Sequence, residues 1–336
     1  MRTPDPLLPP GTKAWVLSDG KIGDEVQCFG IAEALGLRPE RRLVRPRRTF
    51  AMLMPYGPID PREAPHRENS PIAPPFPDIV FAAGRRTVAY LRRLKKASGG
   101  KTFTVFVKDP YLRSGTADVI WVPEHDRLRG DNVVVTLTPA HRVSADLLAA
   151  ARAQPDPRIA HLRRPCVALV LGGPSTHHSF SDADEKALLD IATRLIAQGQ
   201  SLMVTPSRRT PSQLLRAIEA KLLELQASPG SAFVWDGSGG NPYFHILAHA
   251  DAIIVTGDSV NMVAEAAATG APVHVYEPSG GHRKITRYID RLVQEGAVRR
   301  WAGQIENWSY SPIDATPAIT ADIGRRYRKF LEVNLP

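Results

Sequence analysis

One pattern limits what this chain can become more than any other: a β-branched apolar run that breaks at a glycine and passes at once into an alanine-rich helix. Residues 252–275 read A-I-I-V-T-G-D-S-V-N-M-V-A-E-A-A-A-T-G-A-P-V-H-V. Gly270 and Pro272 are the expected stop for that helix before the next strand begins. A run apolar on both faces reads as a buried parallel strand. The turn therefore lies at a strand's carboxyl end, where open α/β sheets bind ligands, and the helix amino terminus from Gly257 to Asn261 offers N–H groups to a phosphate. Glu265 is the odd residue on this small, apolar helix. It lies one turn beyond Asn261, so the two can face the same cleft.

The arrangement recurs along the chain. Ala14–Ser18 reads as a strand, Asp19-Gly20-Lys21-Ile22-Gly23-Asp24 as its turn, and a helix follows from about Glu25 to Leu35. Asp78–Ala83 is a buried strand ending in Gly84, with a basic helix over 85–96. Strands at Thr102–Val107 and Val119–Val122 come next, the first followed by Lys108-Asp109-Pro110. Val167–Leu171 leads into Gly172-Gly173-Pro174-Ser175, and Ser201–Thr205 into Pro206-Ser207-Arg208-Arg209-Thr210. Glycines at such turns let backbone N–H groups approach phosphate oxygens closely, and paired arginines can offset charge on a departing diphosphate. Past Tyr276, a loop with Gly280, Gly281, His282 and Lys284 enters another helix and reads as a further ligand-facing element. A last helix spans 319–331.

Together these segments carry a resemblance. G-D-S-V-N-M-V-A-E-A-A-A-T-G-A-P-V is similar to the donor-sugar motif of GT-B glycosyltransferases, and most closely resembles the elongated-mitochondria (mitochondrial fission) family of glycosyltransferase-like proteins. W-V-L-S-D-G-K-I-G-D-E-V-Q, L-G-G-P-S and T-P-S-R-R-T-P agree with it, so the resemblance spans most of Trp15 to Lys284. It implies an α/β, GT-B-like fold of two Rossmann-like domains facing across a central cleft. The expected boundaries are 1–155 for an acceptor domain, 156–316 for a nucleotide-sugar domain, and 317–336 for a helix packing back on the first. It also implies transfer of a sugar from a nucleotide-diphosphate sugar to a lipid-linked or envelope-saccharide acceptor. Gly172, Gly173, Ser175, Ser207, Arg208, Arg209, Gly257, Asp258, Ser259, Asn261, Glu265, His282 and Lys284 would then bind the donor, with Glu265 on the ribose hydroxyls. Asp19 is the first choice of base, with Asp24 and Asp109 behind it, and Gly20, Lys21, Gly23 and Gly84 would bind the acceptor. No metal and no cofactor enter this scheme.

Length and composition are compatible with it. At 336 residues, 43% of them hydrophobic, the chain can fill two domains of roughly 150 residues each. Its two cysteines, Cys28 and Cys166, lie in separate elements and read as buried thiols of a reducing cytoplasm. No apolar run reaches the length of a membrane span, and the first ten residues lack a signal-peptide core, so secretion is not expected. Residues 1–155 carry 24 Lys or Arg against 16 Asp or Glu, while 156–336 carry 19 against 18. A basic first half, with Arg41, Arg42, Arg45, Arg47 and Arg48 clustered, suits an anionic acceptor and peripheral contact with the inner face of a membrane, or is simply a solvated surface. No zinc-finger spacing or RNA-binding aromatic signature accompanies it, so nucleic acid is not an expected partner.

Several motifs have a plainer alternative. The turn glycines fit neither G-x-G-x-x-G nor a Walker loop, which removes support for nicotinamide cofactors and ATP. Asp182-x-Asp184 resembles a cation-binding Asp-x-Asp, yet Ser181 ahead of it and the acids behind it read as a helix cap. His177 and His178 lack a third ligand at recognisable spacing. Asp109 can act as a base or cap the turn before Pro110. Pro55–Pro77 holds eight prolines in 23 residues and reads as an exposed loop; Phe50, Met52, Leu53, Met54 and Tyr56 before it fit either core or a lipid surface. Two other function classes remain. Plant members of the resembled family are associated with recruiting a dynamin-like protein, which makes a non-catalytic adaptor the alternative. Gly257-Asp258-Ser259 also matches the start of a Gly-Asp-Ser esterase block with Ser259 as nucleophile, but no Asp-x-x-His follows near the end of the chain.

Overall fold

The computed structural model describes residues 7–225 and 230–334. The part of the leader reading that falls on residues 1–6, and the last two residues of the expected 317–336 segment, lie outside them. The chain divides into two compact units: residues up to Arg142 together with those from Ala315 onward, and Val143–Asp314.

In the first unit the elements follow in the order β1 (Ala14–Ser18), α1 (Ile22–Ala34), β2 (Glu40–Leu43), α2 (Arg48–Leu53), β3 (Ile79–Ala83), α3 (Thr87–Ala97), β4 (Phe103–Val107), β5 (Val119–Pro123) and β6 (Val133–Thr136). The six strands form one sheet in the order β2-β1-β3-β4-β5-β6, every pair parallel. Its central strands are buried on both faces, so their side chains alternate between two cores. Val16, Phe81, Val105 and Trp121 pack with Cys28, Ile31 and Ala32 of α1. Trp15, Leu17, Val80 and Ile120 pack with Val88, Tyr90, Leu91 and Leu94 of α3.

The second unit runs α4 (Ala145–Ala153), β7 (Cys166–Leu171), α5 (Asp182–Ala197), β8 (Ser201–Pro206), α6 (Ser212–Glu224), β9 (Ala232–Val234), α7 (Tyr243–His249), β10 (Ala252–Thr256), α8 (Val260–Ala267), β11 (Val273–Tyr276), α9 (Arg283–Gln294) and β12 (Val298–Arg300). Its sheet is again six-stranded and parallel, in the order β12-β11-β10-β7-β8-β9. Val167, Leu169 and Leu171 of β7 meet Leu188, Ile191 and Leu195 of α5 and Leu214 and Ile218 of α6. Helix α4, which sequence order would give to the first half, packs on α7 instead. The final helix, α10 (Thr316–Asn334), returns to the first unit, where Ile319, Ile323 and Tyr327 join the α1 core and Tyr327 meets Phe103 edge-on at 5.3 Å.

Three local expectations change. Helix α1 begins at Ile22, three residues ahead of the expected Glu25, so Gly23 and Asp24 stand in its first turn rather than in the loop. The Pro-rich segment is no exposed loop throughout. Asp60, Ser70 and Ile72 are buried in it, and Asp60 accepts a bidentate ion pair from Arg47. Around Phe50 the two readings divide by residue: Met54 is buried, while Met52, Leu53 and Tyr56 are exposed. Among the described residues no helix is long and apolar enough to cross a membrane.

Candidate functional site

Each sheet reverses its strand order at one place, between β1 and β3 in the first unit and between β10 and β7 in the second. Connections leave these neighbouring strands in opposite directions, which opens a crevice at their carboxyl ends. The turns singled out in the sequence meet there.

In the second unit the meeting is built around Asp258. Its side chain is fully buried and accepts from Arg209 Nη2 at 2.7 Å, from Gly173 N at 3.1 Å and from Thr256 Oγ1 at 2.7 Å. Thr256 Oγ1 in turn accepts from Gly172 N, and Arg209 Nη1 donates to the carbonyls of Gly173 and Pro174. Ser207 N donates to Thr210 Oγ1, which donates to the Leu171 and Gly172 carbonyls. Turns from β7, β8 and β10 are thereby joined into one polar knot. The glycines serve this closeness. A methyl group on Gly172 would stand 2.1 Å from Asp258 Oδ1, and one on Gly173 would stand 2.1 Å from the Arg209 carbonyl oxygen. Arg208 next to the knot is exposed. Gly257 is glycine for a related reason, since a methyl there would lie 3.0 Å from Val275 Cγ1 and 3.1 Å from Ile289 Cδ1.

Helix α8 opens from Ser259, whose Oγ accepts from Met262 N at 3.4 Å, and no histidine hydrogen-bonds that hydroxyl among the described residues. Asn261 is half-buried one turn before Glu265. The Glu265 carboxyl is buried, accepts from Tyr243 Oη at 2.6 Å, and has its pKa pushed up to about 7 by burial, against the lowering effect of the tyrosine. The tyrosine hydroxyl is itself pushed up by desolvation and by the carboxyl beside it.

A second pair of loops zips together beside the knot. Ser179 N donates to the Ser279 carbonyl at 3.0 Å, Gly281 N donates to the His177 carbonyl at 2.6 Å, and the rings of His177 and His282 stack with centroids 4.4 Å apart. Ser175 Oγ accepts from the backbone of His177 and His178. Burial lowers the His178 pKa. Asp184 completes a capping box with Ser181 and accepts from Ser279 N and Tyr276 Oη, so Asp182-x-Asp184 acts as a cap and a loop clamp. His282 caps α9 by accepting from Lys284 N at 3.2 Å. A depression of about 380 Å³ lies against this cap, lined by Gly280, Gly281, His282, Arg283, Thr286 and Arg287.

In the first unit two carboxylates converge on Gly84. A methyl there would lie 3.4 Å from both Asp19 Oδ1 and Asp24 Oδ2, and the residue has φ +89°, a conformation that glycine adopts without strain. Lys108, from the end of β4, donates to Asp24 at 2.5 Å. It has φ 76°, which is uncommon for a side chain of its kind and characteristic of functional loops. Gly20 N donates to Ser18 Oγ, and Lys21 N lies 3.4 Å from Asp19 Oδ1. Gly23 sits in the first turn of α1. Asp109 is not part of this group: its Oδ1 accepts from Tyr111 N at 2.8 Å and holds the turn around Pro110. Lys108 is the member that sequence reading underrates, because a lysine after a strand is common and only the positive φ and the partner mark it.

Among the described residues no three His, Cys, Asp or Glu side chains are grouped to hold a metal ion. The basic cluster near β2 is largely engaged. Arg41 pairs with Glu25, Arg42 with Glu40 and lies over Trp15, and Arg47 pairs with Asp60, while Arg45 and Arg48 are exposed.

Comparison with known proteins fits this architecture. The structure of S. aureus MnaA with UDP aligns with a TM-score of 0.51 at 13% identity, covering 96% of this chain and 91% of that one, and shows the shared GT-B-like α/β fold. The mitochondrial fission protein ELM1 of Arabidopsis thaliana is 30% identical over 276 residues, 74% of this chain; the chain spans 64% of that relative's length. An uncharacterized protein of Rickettsia prowazekii (strain Madrid E) is 25% identical over 346 residues, covering 89% of this chain and 94% of its own. The family model described as mitochondrial fission ELM1 matches residues 22–327, nearly the whole of both sheets and most of α10. By that match the chain belongs to the mitochondrial fission ELM1 family.

Proposed function

We propose that this protein is a glycosyltransferase of the GT-B type that moves a sugar from a nucleotide-diphosphate sugar to a lipid-linked or envelope-saccharide acceptor, working peripherally at the cytoplasmic face of a membrane. The observation that carries the reading is the coincidence of charge and topology at the two strand-order reversals. The second unit gathers a glycine turn, Arg208, Arg209 and the α8 amino terminus at its crevice, all suited to a diphosphate. The first unit gathers Asp19, Asp24 and Lys108 at its own. Relatives of the fold also take such ligands, as the UDP complex of S. aureus MnaA illustrates.

In this reading the donor diphosphate lies over the α8 amino terminus, near Ser259 and Asn261, with Arg208 facing its oxygens and Arg209 held ready by Asp258. Glu265 accepts from the ribose hydroxyls through its carboxyl oxygens. His282 and Lys284 approach from the α9 loop. Asp19, the less engaged of the two carboxylates, takes the proton from the acceptor hydroxyl, while Lys108 pairs with Asp24 beside it. The arginines and helix terminus supply the electrostatic stabilisation of the leaving diphosphate.

Thermal stabilisation by a panel of nucleotides and sugar nucleotides tests this. A ligand at about a hundred times its Kd should add roughly 2.7 kcal/mol to a folded state that alone binds it. The expected result is a raised Tm with one nucleoside diphosphate, lost in Glu265→Ala. A second reading, a binding protein that recruits a partner, is favoured by one specific observation: Asp258 and Glu265 are already satisfied inside the protein. Absence of any shift across the panel would decide for it.

A further inference from the structure

Four exposed apolar side chains of the first unit gather at the end of α2, the turn after it and the loop after β4. Met52 is 78% exposed, Leu53 57%, Tyr56 73% and Tyr111 64%, far above what a solvated surface requires of such residues. Met52 and Leu53 end α2, which is anchored beneath them: Ala51 is buried, Phe50 is half-buried, and Met54 just beyond the helix is buried. Gly57 closes the following turn so tightly that a methyl there would lie 2.5 Å from Leu53 Cβ, and its N–H donates to the Leu53 carbonyl at 2.8 Å. Tyr56 Oη donates to the Tyr111 carbonyl at 3.2 Å, so the two loops form one surface. The outward side chains are thus presented by a braced backbone.

That surface is tied directly to the carboxylate pair. Arg85, immediately after Gly84, donates to the Met54 carbonyl at 2.7 Å and the Ala51 carbonyl at 3.1 Å. Tyr111 stands three residues after Lys108, the partner of Asp24. The surroundings are basic: Arg45 precedes α2, Arg48 opens it, Arg113 follows Tyr111, and all three are exposed. None of the three makes an ion pair among the described residues.

We propose that Met52, Leu53, Tyr56 and Tyr111 enter the headgroup region of an anionic lipid bilayer, with Arg45, Arg48 and Arg113 against its phosphates, setting the Asp19–Asp24–Lys108 group at the membrane surface. Apolar side chains ringed by arginines match an interface whose interior is apolar and whose surface is negative. Tyrosine suits the boundary, since its ring is apolar and its hydroxyl polar. The acceptor consistent with this placement is an amphiphile whose reacting hydroxyl stays at headgroup level while its tail remains in the bilayer. This assignment of the acceptor rests on the transferase reading; the docking itself does not.

The test is co-sedimentation of the full chain with vesicles of phosphatidylglycerol and phosphatidylcholine, against phosphatidylcholine alone. The expected result is binding to the anionic vesicles that weakens as salt is raised, and at least about a tenfold loss of affinity in M52D/L53D. Arg48→Glu should reduce binding while preserving the apolar residues. Tm measured for both variants, together with Tyr111→Ser as an independent alteration of the second loop, separates lost docking from lost folding. No vesicle binding by the parent, or undiminished binding by M52D/L53D and Tyr111→Ser, would overturn the proposal. So would a parent dimer in analytical ultracentrifugation that M52D/L53D converts to monomer without any vesicle binding, since the surface would then join two copies. Nucleotide stabilisation is measured on the same variants and should be unchanged, so failure of the donor reading and failure of docking are seen separately.

Discussion

Arg209 Nη2 lies 2.7 Å from Asp258 Oδ2, and through that contact a residue after β8 and a residue after β10 hold the glycine turn of β7 between them. The pair is asymmetric: the carboxylate is fully buried, whereas the arginine side chain is 40% exposed. One end of the arginine is thus fixed while its remaining surface faces outward.

Removing the carboxylate should therefore loosen all three turns. Asp258→Ala leaves Gly173 N, Thr256 Oγ1 and Arg209 Nη2 without their shared acceptor, and the expected loss is about 2–3 kcal/mol in urea unfolding, as for hydrogen bonds to a charged group. Arg209→Lys, which keeps the charge and loses the fork, should fall between the parent and the alanine variant. An Asp258→Ala protein as stable as its parent would show that the turns are held by something else.

The glycines offer a sharper contrast. Gly172→Ala places a methyl 2.1 Å from Asp258 Oδ1, with no room to move, and should cost at least about 2 kcal/mol. Gly240→Ala, where nothing lies within 4 Å and φ is ordinary, should stay within about 0.5 kcal/mol of the parent. Equal effects at both positions would remove close approach as the reason for glycine.

Glu265 predicts a pH dependence. Its folded pKa of about 7 lies above the ordinary 4.5 of a glutamate, so the folded state binds the proton more tightly than the unfolded chain does. The stability it contributes is fully present below about 4.5 and declines as pH rises through about 7, with a total on the order of a few kcal/mol. Unfolding free energies of the parent and of Glu265→Gln, measured across this window, should diverge in that sense, the parent losing ground as pH rises. Parallel curves would place the ionisation elsewhere.

Catalysis and donor binding should separate by unit. Asp19→Asn is expected to lower transfer about 10²–10⁴-fold, the usual contribution of a general base, while leaving nucleotide stabilisation unchanged. Lys108→Met should also lower transfer, because Asp24 would lose the ammonium group that holds it in place beside Asp19. If Asp19→Asn transfers sugar normally, the base lies elsewhere.

What could be read from the sequence follows from where the determining interactions are. Residues 252–275 are legible because their signals are local: β-branched residues, a glycine break, an alanine run and a Gly-x-Pro stop. Strand β12 is nearly illegible, being three residues of which two are exposed arginines. Helix α2 is six residues long with no side-chain cap, so no periodicity announces it. The site divides in the same way. Gly172, Gly173 and Arg209 follow β7 and β8 closely, so their place near strand ends is local information. The role of Asp258 was not legible, since it depends on an arginine 49 residues earlier, and Glu265 is engaged by a tyrosine 22 residues upstream. A sequence shows that a residue is polar and near a strand end; it does not show whether the side chain points to a ligand or to its own neighbours.

The return of α10 to the first unit has a consequence for biosynthesis. Chain emerging from the ribosome contains all six strands of the first sheet long before Thr316, yet the surface around Phe103 that Tyr327 and Phe330 cover cannot be sealed until every residue of Val143–Asp314 has been made. The unit translated first is completed last, and a nascent chain halted after Asp314 would carry a finished second unit beside a first one with its apolar flank open to chaperones or to aggregation.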